Sequence, residues 1–142
     1  MSNSRLTGVL PVFLLVLTLL VSAGCTTKIS DRTVNRITTT AANVRHAEKN
    51  ALFIDARPSA AYQREHIAGA VNIRLGELSY VSRDQRLVGR SPLIVYGENP
   101  GSAPAIALAK RLLELEYEGV EYYEPGISGW RSAGLPLDRG DE

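Results

Sequence analysis

Cysteine is almost absent from this 142-residue chain: one residue, Cys25, stands alone. A single cysteine excludes any disulfide within the chain. Charge imbalance is lacking as well, since 16 Lys and Arg face 15 Asp and Glu, a formal net charge of +1. Such a chain lacks the basic surplus that marks a nucleic-acid binder. No apolar run reaches the roughly 20 residues that a membrane-spanning helix requires. There is no internal repeat and no low-complexity tract, and no set of residues points to a metal or a cofactor. What remains is ordinary: 44% hydrophobic and 22% charged residues suit one folded domain.

The longest uncharged stretch is VLPVFLLVLTLLV, residues 9–21, with Arg5 before it. Its 13 residues suit the core of a secretory signal. "SAGC" follows, with the small residues Ala23 and Gly24 directly before Cys25. This resembles the lipobox of bacterial lipoproteins, although Ser22 stands where that pattern usually has Leu. The resemblance implies a signal peptide over residues 1–24, acylation of Cys25, a tether over residues 25–33 and a domain over residues 34–142. It places the protein at the bacterial cell envelope, lipid-anchored and facing the periplasm. The alternative is a plain secreted protein in which Cys25 is incidental. An acylated Cys25 would leave the chain with no thiol for redox or nucleophilic chemistry.

Charge is spread unevenly along the chain. Residues 28–90 hold 11 basic and 6 acidic groups, whereas residues 91–142 hold 4 and 9. Glu114, Glu116, Glu118, Glu121 and Glu124 form a local acidic run. It reads either as a solvated helix end or as a docking patch for a basic partner.

The patterning alternates strands with helices. "TVNRI" predicts an edge strand, and Thr39 or Thr40 caps a short helix with Val44 and Ala47 on one face. "ALFIDAR" is an apolar run ending in Asp55, as in a buried parallel strand. Pro58 opens a helix. "AGAVNI" and "LIVY" are further strands. Ser102 or Ala103 caps a long helix whose apolar stripe runs through Ile106, Ala109, Leu112 and Leu113. "VEYY" is a last strand and "GISGWRSAG" a last helix. The order predicts an α/β fold with a central parallel sheet of four or five strands and helices on both faces. "LFID" and "LIVY" belong near the sheet's centre.

Asp55, Arg57, Tyr62, His66-Ile67, Gly69-Ala70 and Asn72-Ile73 follow the spacing of D-x-R, an aromatic residue, then G-H-I-x-G-A-x-N-I, with Glu65 in place of the first Gly. "EPGISGWRSAGLPL", residues 124–137, follows a glycine pair leading into I-x-x-W-x-x-A-G-x-P, with Pro125 in place of the first glycine. Together these segments resemble the rhodanese-like domain over residues 34–137. Read as residues alone, Asp55 caps a turn, Arg57 pairs with a carboxylate or carbonyl, and His66 is structural. Tyr62 and Trp130 are core aromatics, and Gly69 permits close packing or a positive φ. These residues specify a fold and no reaction.

The resemblance implies that chemistry depends on the loop between "LIVY" and the long helix. Active members of the family place a Cys first in that loop, where backbone N–H groups and a helix N-terminus favour the thiolate. Here that position is Gly97, so no catalytic residue is expected. The loop remains a candidate for binding through Gly97, Glu98, Asn99, Gly101, Ser102 and Ala103, or it is a structural or protein-contact turn. Asn99-Pro100-Gly101 suits a type II turn. No Lys or Arg lies between Gly97 and Ala109, and Glu98 adds negative charge at the mouth. The expected function is a membrane-anchored binding or accessory module. The alternatives are a sulfurtransferase, or a sulfur-relay or redox accessory protein working with a Cys-bearing partner.

Overall fold

The computed structural model describes Ser30 and residues 33–140. Cys25, the uncharged run 9–21 and most of the tether lie outside the described residues. Five strands form one parallel sheet: β1 (Asn35–Ile37), β2 (Leu52–Asp55), β4 (Val71–Asn72), β5 (Leu93–Tyr96) and β6 (Val120–Tyr123). Their order is β1-β6-β5-β2-β4. All therefore start at one end of the sheet and finish at the other. The apolar tetrapeptides LIVY and LFID take the inner positions, and polar β1 takes an edge, as the patterning predicts. Every side chain of β5 and β6 is buried, which fits strands covered on both faces.

Two apolar clusters cover those faces. On one, α3 (Ala103–Glu114) packs Ala105, Leu108, Ala109 and Leu112 against Ile54, Leu93, Val95 and Tyr122. On the other, α1 (Thr39–Ala47) and α4 (Gly126–Ser132) enclose Phe53, Ile94, Tyr96, Tyr123 and Trp130. α2 (Ser59–Arg64) follows β2, with Pro58 just before it. Trp130 is wholly buried, and its indole Nε1 donates to the Pro136 carbonyl at 2.8 Å. Among the described residues no helix is long and apolar enough to cross a membrane.

Two local expectations are corrected. The first helix begins earlier than predicted, because Thr38 and not Thr39 or Thr40 caps it, its Oγ1 accepting from the Ala41 N–H at 3.3 Å. Its inner face holds Ala42 and His46, while Val44 is 49% exposed and Ala47 faces solvent. The reason lies across the sheet. His46 packs edge-on against Phe53 and Trp130, and Arg45 reaches Glu121, which together turn Val44 outward. Second, the "AGAVNI" run forms only the short β4. A separate antiparallel pair, β3 (His66–Ile67) with β7 (Leu137–Asp138), was not predicted at all.

Candidate functional site

The site is built at the end where the parallel strands finish. β5 ends at Tyr96, and residues 97–102 turn the chain into α3. Gly101 has φ +79°, and the Ser102 N–H donates to the Asn99 carbonyl at 3.3 Å. Pro100 and Gly101 thus occupy the middle of the predicted turn. Ser102 stands at the N-cap of α3, but its hydroxyl makes no capping hydrogen bond. It points back to the start of the loop. A Cβ built on Gly97 would lie 2.0 Å from Ser102 Oγ and 2.4 Å from Ser102 Cβ. The space that a side chain at position 97 would need is already filled.

The loop is tied down from two sides. The Ile127 and Ser128 N–H groups, in the first turn of α4, donate to the carbonyls of Gly97 (2.9 Å) and Glu98 (3.0 Å). This contact requires a glycine at 126. That residue has φ +64°, and a Cβ on it would meet the Gly97 carbonyl oxygen at 2.7 Å. On the other side, Arg57 Nη1 donates to Glu98 Oε2 at 2.8 Å, and Arg131 lies 3.9 Å from Glu98 Oε1.

Arg57 is itself held firmly. Its backbone N–H and its Nε donate to Asp55 Oδ1, and its Nη2 reaches Asp55 Oδ2 at 2.8 Å and the Glu65 carbonyl at 2.7 Å. Asp55 is wholly buried and Arg57 is 6% exposed. Burial alone would lower the Arg57 pKa, but the bonds to Asp55 and Glu98 raise it above its ordinary value. Asn72 secures the corner by donating to the carbonyls of Asp55 and Arg57, at 2.9 Å each. Asp55 and Arg57 therefore occupy the roles expected of them. The negative charge that Glu98 brings to the mouth is met by arginines distant in sequence, each shared with a second carboxylate, Asp55 or Glu65.

His66 is buried, donates from Nδ1 to the Tyr62 carbonyl at 2.9 Å and stacks on the Tyr62 ring. Tyr62 is only half-buried, and its hydroxyl donates to the Ala70 carbonyl. Gly69 is exposed with φ +76°, so positive φ and not close packing accounts for it. Ala103 is exposed beside the loop.

Sequence reasoning missed Gly126, Arg131 and Tyr122. Tyr122 is 1% exposed, and among the described residues its hydroxyl has no partner of good hydrogen-bond geometry. Burial raises its pKa, and nearby Glu124 raises it further. The neighbouring N–H groups of Gly101 and Ser102 work the other way. Beside the loop lies a groove of about 470 Å³, lined by Arg36, Ile37, Thr38, Thr39, Pro100, Glu124 and Pro125. Among the described residues no group of three or more His, Cys, Asp or Glu side chains is placed to hold a metal ion.

A family model described as the rhodanese-like domain matches residues 38–133. The chain is 36% identical over 90 residues to the HTH-type transcriptional regulator Rv0324 of Mycobacterium tuberculosis. That match covers 62% of this chain and 38% of the regulator. Among solved structures it resembles the BH2092 protein of Bacillus halodurans, with TM-score 0.67 and 19% identity over 76% of this chain and 79% of that one. It also resembles a thiosulfate sulfurtransferase from Pseudomonas aeruginosa, with TM-score 0.58 and 26% identity over 75% of this chain and 20% of that one.

Proposed function

The chain belongs to the rhodanese-like domain family, and from that premise we propose that it is a non-catalytic member, held at the bacterial cell envelope by a lipid on Cys25 and acting by binding. One observation carries the non-catalytic reading. The first loop position is Gly97, and Ser102 fills the side-chain space there. A persulfide mechanism needs a thiolate at that position, and the described residues contain no thiol. Two further features fit a surface for contact and not for turnover. Glu98 occupies the free edge of the Arg57 guanidinium, and the α4 N–H groups are spent on loop carbonyls. The groove beside Pro100 then offers the open surface at this end.

The test is sulfur transfer from thiosulfate to cyanide by the purified full-length protein, with no added thiol. The expected rate is that of the uncatalysed reaction. Saturable turnover would overturn the proposal. A second reading draws on the 26% identity to the Pseudomonas sulfurtransferase, in which the domain takes part in sulfur relay using a thiol supplied by a partner protein. It predicts thiosulfate-dependent persulfide on a cysteine-bearing membrane protein, formed only when this chain is present.

A further inference from the structure

The two ends of the sheet differ in what they expose, and the chain enters at only one of them. Val34, just before β1, is buried in the same cluster as Leu87, Tyr117 and Val120. Those residues mark the end where the strands start. The long connection between β4 and β5 crosses this end. There the Asp84 N–H donates to the Tyr117 hydroxyl, Arg83 donates to the Glu116 carbonyl, and Arg111 lies 4.2 Å from the Tyr80 ring centroid. These contacts fix the segment against the last turn of α3 and, while Leu78 and Leu87 point into the core, leave Tyr80, Val81 and Val88 outward. Val81 is 95% exposed, Tyr80 69% and Val88 53%. The hollows beside them, of about 220 and 380 Å³, share Arg83, Glu116 and Tyr117, so they form one continuous surface.

We propose that this strand-start surface, through Tyr80, Val81 and Val88, rests on the phospholipid bilayer to which Cys25 attaches, and so presents residues 97–102 away from the membrane. The inference rests on the anchor reading. From Cys25 to Val34 there are nine residue steps, which at about 3.3–3.6 Å each span roughly 30 Å at most. The strand-start end therefore stays within reach of the lipid surface. A tether of this length raises the effective concentration of the bilayer at that surface, so a contact too weak to recruit the free domain becomes populated. The side chains suit it: Tyr favours the headgroup boundary, and isolated valines enter it without a buried polar cost. Exposed Arg83 and Arg90 are balanced there by exposed Glu116 and Glu118. Contact is thus expected with a zwitterionic surface and needs no anionic lipid.

The experiment uses the full chain, purified from bacteria fed labelled palmitate and reconstituted in phosphatidylcholine vesicles. Val81→Cys, Val88→Cys and Ala103→Cys each carry a nitroxide, with Cys25 blocked by its lipid. The expected result is an oxygen-to-nickel accessibility ratio at positions 81 and 88 at least threefold above that at position 103. Equal ratios in a palmitate-labelled sample overturn the bilayer contact and leave the anchor standing. Immobile labels at 81 and 88 with no gain in oxygen access indicate a protein contact and also overturn it. Absence of palmitate overturns the anchor reading, and this inference falls with it.

Discussion

On the non-catalytic reading proposed above, position 97 closes the loop in two ways. A glycine carries no nucleophilic side chain, and the neighbouring Ser102 occupies the adjoining space, 2.0 Å from where a Cβ would stand. Placing a thiol there therefore takes more than one substitution. Gly97→Cys should destabilise the fold by about 1–3 kcal/mol through overpacking. Combined with Ser102→Gly, the same cysteine should fit, and most of that loss should return. Urea denaturation of the two variants checks this, and equal midpoints would show that the loop makes room by itself. The acidic residues around Arg57 separate in the same manner. Asp55→Ala leaves a buried guanidinium without its main partner and should cost about 3–5 kcal/mol. Glu98 is half-exposed, so Glu98→Ala should cost about 1 kcal/mol or less. If denaturation midpoints rank these two in the opposite order, Glu98 and not Asp55 holds the corner.

Elements with a strong local pattern are legible in the sequence. LIVY occupies β5 residue for residue, since two-sided burial writes a continuous apolar run, and VEYY occupies β6 although Glu121 interrupts its apolar run. The type II turn announced itself through Pro100-Gly101. What could not be seen depends on partners far away in the chain. β3 and β7 pair two residues each across a separation of about 70 positions, too short for any period to register. Arg131 and Gly126 meet the loop only because α4 lies against it. The inner face of α1 is not legible in its hydrophobicity, because half-buried His46 is turned inward by its contacts with Phe53 and Trp130. That aromatic cluster holds α1 and α4 on one side of the sheet. Tyr123 joins it edge-on to Trp130 at 5.8 Å. Trp130→Ala should lower stability by about 3–5 kcal/mol. Circular dichroism is the appropriate readout, since the substitution removes the chain's sole tryptophan. A loss below about 1 kcal/mol would mean that the sheet face closes without the indole.

For the whole molecule, the uneven charge of the sequence resolves into pairs that bridge its basic and acidic parts. Arg45 meets Glu121, Arg36 meets Glu124, and Arg57 meets Glu98. Of the acidic run, Glu121 is buried in β6 and Glu124 pairs with Arg36, whereas Glu114, Glu116 and Glu118 lie exposed. Such pairing has a pH signature whose sign is fixed by which partner titrates. The Glu65 carboxyl is held below its ordinary 4.5, chiefly by its hydrogen bond to Arg131. Asp84 is held below its ordinary 3.8, chiefly by Arg86. Glu77 also titrates low: although its burial opposes ionisation, bonds from Arg74 and Arg86 outweigh it. A carboxyl whose pKa is lower folded than unfolded binds more protons when unfolded. Its contribution is complete above its unfolded pKa and disappears as pH falls through the folded one. Stability should therefore be level with pH in the range above about 5 and decline below 4.5. Glu65→Gln should make that decline shallower while changing little at pH 7 beyond the lost ion pair, because the amide has no proton to gain. Thermal melts of both proteins between pH 3 and 7 provide the comparison. Parallel curves would show that Glu65 titrates alike folded and unfolded, and that its pairing with Arg131 adds nothing to stability.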